Sequence, residues 1–257
     1  MVEKELKVKT ADGMMTTFEV RPDGAGPFPV AVLYQDGVGY REQVKENARR
    51  FAAGGFYVVV PDLFYRSGDK ISFDFAKLAG AFTGAANPDA ERARSVMTQV
   101  NPGRVVEDTK AVFAAIASDP AASTGPKVTV GYCMGARMAL HAASAMPNEF
   151  VAAAGIHPGA LINDTPESPH HDLDKVRGEL YFAFAEIDRT ATPELVDRFR
   201  DEMRRNGVRG EVERVGGATH GFAMEDLPMY DHDAAERHFE RTLELWRRNL
   251  PVGAATR

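Results

Sequence analysis

The chain has 257 residues, enough for one large α/β domain or two small ones, with 44% hydrophobic and 26% charged residues. That balance excludes a disordered chain and leaves material for a sizeable core. The net charge of −6, from 31 basic and 37 acidic residues without basic blocks, argues against nucleic acid or an anionic membrane as the main partner.

The first ten residues carry Glu3, Lys4, Glu5, Lys7 and Lys9 and no long apolar run. No signal peptide or membrane span is expected there or further on. The single cysteine excludes an internal disulfide and any multi-cysteine metal site, so a cytoplasmic protein with a reduced thiol is expected. Residues 6–10 alternate like a strand, Ala11-Asp12-Gly13 is a turn, and 14–20 returns as the second strand of a hairpin. Residues 30–34 form an apolar run suited to burial on both faces. The spacing over 42–53 predicts a helix with Val44, Ala48 and Phe51 on one side, stopped by Gly54-Gly55. A second buried strand follows at 57–60 and ends at Pro61.

The connection from Asp62 to Pro102 is too long for an ordinary crossover. It carries Phe64, Tyr65, Arg66, Phe73, Phe75 and Phe82. Two readings stand: a crossover decorated with its own helix, or a lid or substrate wall over the strand ends, at about 63–102. Beyond it, 105–117 reads as a helix, 127–130 as a buried strand and 136–145 as a helix. Further strands are expected at 151–156, 180–185 and 210–215, and amphipathic helices at 194–205 and 234–248. Alternating strands and helices imply a mostly parallel central sheet with helices on both faces. No repeat or linker divides the chain, so one α/β domain over 1–257 is expected.

Gly131-Tyr132-Cys133-Met134-Gly135 stands at a strand-to-helix junction. Glycines around a central residue there suit a sharp turn that presents its side chain beside the amides of a helix N-terminus, a mount for a nucleophile. A thiol nucleophile needs a base, and the base an orienting carboxylate. Asp188, in Ala185-Glu186-Ile187-Asp188-Arg189, follows a strand end, with Glu186 as its rival. His220, in Gly217-Ala218-Thr219-His220-Gly221-Phe222, follows the last strand. All three fall at C-terminal strand ends, where ligands bind in open α/β sheets. The order nucleophile, acid, histidine is that of doubly wound hydrolases.

These pieces, with Pro61-Asp62-Leu63 and Arg66, resemble the dienelactone hydrolases, or carboxymethylenebutenolidases, of the α/β-hydrolase superfamily, over about 28–246. The resemblance implies hydrolysis of small lactones or activated esters, with no metal or organic cofactor. It implies a carboxylate near the first central strand that helps deprotonate the resting thiol. The matching residue is Asp36, where the family has a longer glutamate. It also implies an arginine shortly after the histidine that pairs with a substrate carboxylate. Met224 stands there instead and suggests a more apolar pocket.

The expected chemistry is attack by Cys133 on a lactone or ester carbonyl, with oxyanion donors at the backbone N–H groups of Met134 and Gly37. A thioester forms, and water activated by His220 releases the acid. Tyr132, Met224, His157, Arg66 and Phe64 are candidates for the pocket. Arg41 and Arg137 are further cations, the latter expected to pair with a structural carboxylate. The plain reading of His157 is a strand-end histidine with a backbone partner. His170-His171-Asp172 with Asp174 reads as a solvated loop rather than a metal site. Other readings are a broader carboxylesterase or aryl/phosphate ester hydrolase on the same thiol, a redox-sensing thiol protein, and a non-catalytic hydrolase-fold protein. The expected assembly is a monomer or small homo-oligomer.

Overall fold

The computed structural model describes residues 1–78 and 87–250. Strands β1 (Val2–Thr10) and β2 (Gly13–Arg21) form the expected hairpin, in register from Thr10↔Gly13 to Val2↔Arg21. The remaining strands are β3 (Val30–Tyr34), β4 (Tyr57–Pro61), β5 (Lys127–Tyr132), β6 (Phe150–Ile156), β7 (Glu179–Ile187) and β8 (Gly210–Thr219). They make one eight-stranded sheet in the order β1-β2-β4-β3-β5-β6-β7-β8. β1–β2 and β2–β4 pair antiparallel, and the rest pair parallel. β3, β4 and β5 are buried along their whole length, as strands covered on both faces must be.

The helices are α1 (Glu42–Ala53), α2 (Pro88–Thr98), α3 (Pro102–Ile116), α4 (Met134–Ala145), α5 (Pro193–Arg205) and α6 (His232–Asn249). Their starts follow capping chemistry. Asn87, Asn101 and Asp231 accept from the amides of Asp89, Arg104 and Ala234, and α2, α3 and α5 open on proline. Period-two alternation splits the core between the two faces. Leu180, Phe182 and Phe184 of β7 join residues of α3, α4 and α5, while Tyr181, Ala183 and Ala185 join those of α1 and α6. The second face centres on Trp246, whose ring lies 4.7 Å from Phe51 and 4.9 Å from Phe56. This is an α/β-hydrolase architecture.

The long connection leaves β4 through buried Asp62, which accepts from Phe64 N–H at 2.9 Å and Lys70 N–H at 2.7 Å. Burial raises the Asp62 carboxyl to about 6, against the pull of those amides. The stretch then runs along the 36–40 turn, with Tyr40 N–H donating to Ile71 O and Phe73 N–H to Val38 O, each at 2.9 Å. Helix α2 brings Met97 over Gly37, where an added Cβ would meet its sulfur at 2.7 Å. Residues 79–86, including Phe82, lie outside the described residues.

Two pocket candidates on this stretch are corrected. Phe64 is 1% exposed and packs in the core, 6.2 Å from the Phe73 ring. Arg66 lies at the far side, forked onto Asp108 at 2.7 and 3.0 Å and bonded to Asp12 in the hairpin turn at 2.7 Å. Its charge holds the hairpin to α3. The run His170-His171-Asp172 is a 3-10 helix (Pro169–Lys175) rather than a solvated loop. His170 is buried there, with Nδ1 2.7 Å from Ser168 Oγ.

Candidate active site

Cys133 sits between β5 and α4 with φ 51 and ψ −113, a strained geometry for a residue with a Cβ. Two backbone hydrogen bonds fix it: its N–H donates to Ile156 O at 3.0 Å, and Ala136 N–H donates to Cys133 O at 3.1 Å. Both flanking glycines are required by space. A Cβ at Gly131 would lie 2.0 Å from Gly135 O, and one at Gly135 would lie 2.3 Å from Tyr34 O and 2.5 Å from Gln35 O. The start of α4 therefore rests on the end of β3. The first turn of α4, which begins at Met134, thus lies against the chain that leads into the Gly37 turn.

His220 Nε2 lies 3.0 Å from Cys133 Sγ, and its Nδ1 lies 2.6 Å from Asp188 Oδ2. Asp188 is reached because β7 and β8 run further than the sequence suggested, to Ile187 and Thr219, paired with each other at those ends. The other Asp188 oxygen accepts from Thr190 N–H at 2.7 Å and Thr190 Oγ at 2.8 Å. Its rival Glu186 is exposed and accepts from Gly217 N–H instead. Burial opposes charge on Asp188, but His220 and Thr190 hold it below the ordinary carboxylate range. Burial likewise opposes charge on His220. The Cys133 thiolate and Asp188 outweigh it and raise His220 well above the ordinary imidazole value. The three side chains thus stand in line, sulfur to imidazole to carboxylate.

The other predicted residues are placed differently. Asp36 is not turned to the thiol. It accepts from Val38 N–H at 3.0 Å and from both terminal nitrogens of Arg41, at 2.7 and 3.1 Å. Arg41 also grips Asp226, at 2.6 and 3.0 Å. Burial works against the Arg41 charge, and the two carboxylates more than offset it. Tyr132 is fully buried beneath the elbow, with its hydroxyl 3.1 Å from His238 Nε2. Met224 is also fully buried, its sulfur accepting from Asn47 Nδ2 at 3.5 Å, so it lines no pocket. Among the described residues Arg137 has no carboxylate partner, and its buried Nε is unbonded.

Residues 15–250 match the profile of the dienelactone hydrolase family. The chain belongs to this family. A candidate carboxymethylenebutenolidase of Methylorubrum extorquens is 24% identical over 257 residues, covering 98% of this chain and 82% of that protein. The carboxymethylenebutenolidase of Pseudomonas sp. strain P51 is also 24% identical, covering 98% of each. A candidate dienelactone hydrolase from Klebsiella pneumoniae superposes with a TM-score of 0.82 at 19% identity, covering 96% of this chain and 98% of that one, a likeness of fold. The chain is thus a hydrolase of the dienelactone hydrolase family.

Behind the site of this dienelactone hydrolase-family member lies a group that the sequence did not resolve. His157, 1% exposed, stacks edge-on to His220 at 5.2 Å and to Phe222 at 5.3 Å. Among the described residues neither ring nitrogen has a well-formed hydrogen bond, though the backbone of His157 itself favours the charged ring, and the His157 N–H donates to Ala183 O at 2.8 Å. It backs the catalytic-side histidine rather than facing the opening. Thr190 and Asp226 were also missed. An acid-x-threonine turn after a strand end was a readable signal for Thr190. Asp226 had none, because its partner Arg41 is 185 residues away.

Proposed function

We propose that the hydrolase cleaves small lactones or activated esters through Cys133 as nucleophile, His220 as base and Asp188 as the carboxylate that orients it. The observation that carries this reading is the continuous chain Sγ–Nε2 at 3.0 Å and Nδ1–Oδ2 at 2.6 Å. The thiolate attacks the carbonyl carbon, and the carbonyl electrons move onto oxygen. The amides of Met134 and Gly37 receive that oxyanion, each donor contributing about 3 kcal/mol in sites of this kind. Collapse breaks the ester C–O bond, the leaving oxygen takes the proton from His220, and a thioester remains on Cys133. His220, its Nδ1–H directed to Asp188, then draws a proton from water, whose oxygen attacks the thioester carbonyl; the C–S bond breaks, the carboxylic acid is released, and the thiolate beside protonated His220 is restored.

Asp36 has no step in this scheme, since Arg41 and the 38–39 amides occupy its oxygens. The described parts of the 63–102 stretch serve as a wall, a reading supported by Met97 over Gly37. A single reduced thiol suits the cytoplasm. Turnover of small lactones and p-nitrophenyl esters by wild type and Cys133→Ala tests the reading. We expect a loss of at least about a thousandfold in the variant. Activity retained by Cys133→Ala, or a wild-type thiol that resists iodoacetamide, removes the nucleophile from the scheme.

A further inference from the structure

A cleft of about 530 Å³ lies along the chain segments that follow Gly37 and His220, within the size range of small-ligand sites. Its walls include Val38, Phe73, Phe75 and Leu227, and its charged lining residues are Asp74 and Asp226. Val38 directly follows the Gly37 turn. Leu227 comes from the loop that leaves His220: its Cδ1 would lie 3.3 Å from a Cβ on Gly221. One wall therefore begins at the proposed oxyanion donor and the other at the proposed base. The cleft itself includes neither Cys133 nor His220.

The charge around it is settled by the hydrogen bonds. Arg41 is the cation bonded to the lining carboxylate Asp226, and it is also committed to Asp36, within 3.1 Å on every contact. One guanidinium shared by two carboxylates leaves a net charge of −1 at that wall. Asp74 adds another negative charge to the lining, its Oδ1 accepting only a backbone amide, Ala76 N–H at 3.0 Å, among the described hydrogen bonds. Arg137 is a helical turn beyond Cys133 on α4 and does not line this cleft. An apolar group gains from the phenyl and aliphatic walls. A carboxylate would meet two like charges and, among the described lining side chains, no cation to receive it.

We propose that this cleft receives an apolar, uncharged group of the ester, so that the enzyme selects neutral substrates over carboxylate-bearing ones. Its role in turnover rests on the Cys133 reading, but its binding preference does not.

The test separates the two. Calorimetry on Cys133→Ala protein compares N-phenylvaleramide with glutaric acid monoanilide, which differ by a terminal carboxylate. We expect the neutral anilide to bind at least about tenfold tighter. Leu227→Trp, which fills the cleft, is expected to weaken it about tenfold. Asp74→Asn is expected to narrow the discrimination at least about twofold with little change in thermal stability. Phe75→Ala serves as the second cleft variant should Leu227→Trp fail to fold, with weaker neutral binding expected. Equal or tighter binding of the acid, no measurable binding of either anilide, or neutral binding indifferent to the folded cleft variants overturns the proposal. In wild type, p-nitrophenyl valerate should be turned over at least about tenfold more efficiently than p-nitrophenyl hemiglutarate. Selective binding without hydrolysis of either ester leaves the cleft assignment standing and removes the thiol mechanism instead.

Discussion

Cys133 and Asp188 together raise the His220 imidazole against its burial, and this gives a signature at the level of single residues. The thiolate is the leading cause raising His220, ahead of Asp188. Following the His220 Cε1 resonance with pH should therefore show a protonation midpoint above the ordinary value of about 6.5. In Cys133→Ala the midpoint should fall, because burial then acts with less opposition. A midpoint unmoved by the substitution would mean that the pair is not ionised in solution. The sign for stability follows. A raised histidine contributes stability below its unfolded value, and that contribution is lost as pH rises through the folded value. His157 behaves in the opposite way. Burial, with His220 and His238 nearby, pushes it well below the ordinary value, and among the described residues neither nitrogen has a well-formed hydrogen bond. His157→Phe keeps the ring and removes the buried polar atoms. It should raise thermal stability, by about 1–3 kcal/mol, and the gain should be larger at pH 5 than at pH 8. A clear loss in the melting curve at both pH values would show that the nitrogens have partners.

At the level of elements, the turn at Cys133 depends on backbone contacts that leave no room for a methyl group. Gly135→Ala would set a Cβ 2.3 Å from the Tyr34 carbonyl. Separating α4 from β3 would cost more than about 2 kcal/mol and would move the Met134 amide away from the Gly37 turn. Chemical denaturation should show the loss, and the thiol should alkylate more slowly even where the protein remains folded. Much of this scale was legible in the sequence. Runs such as Val30–Tyr34 and Tyr57–Pro61 could be assigned because both faces are buried, so apolar continuity marks them. The elbow was legible because two glycines and a nucleophile leave a local pattern. The ends of β7 and β8 were not, since Glu186 and Gly216-Gly217 look like loop residues and only mutual pairing extends them. Side-chain partners were least legible. Arg66 with Asp108, Arg41 with Asp226 and Tyr132 with His238 are chosen by folding across 42, 185 and 106 residues. Local pattern carries no trace of such choices, and for that reason Asp36, Arg66, Tyr132 and Met224 were misplaced.

For the whole molecule, acid stability gathers several buried imidazoles. Burial lowers His141 to about 4 and His238 to about 3, and it lowers His157 as well. Each stays neutral in the fold but charges in the unfolded chain. Stability is therefore present above about pH 6.5 and lost as pH falls, at up to about 1.4 kcal/mol per pH unit for each group. Melting temperatures should drop steadily from pH 6.5 towards 4, and the slope should lessen in His141→Gln. An unchanged slope would assign the acid loss to the carboxylates alone. The sheet gathers residues 133, 188 and 220 at one end because parallel strands place all their C-terminal ends together. The central claim is that this gathering makes a covalent catalyst of Cys133. Intact-mass spectrometry of protein quenched in acid during turnover of p-nitrophenyl butyrate tests it most directly. One butyryl group is expected on wild type, carried by the peptide containing Cys133 and lost on hydroxylamine treatment, with neither adduct nor turnover in Cys133→Ala. Turnover that persists in Cys133→Ala, or an acyl group found on another residue, would contradict it.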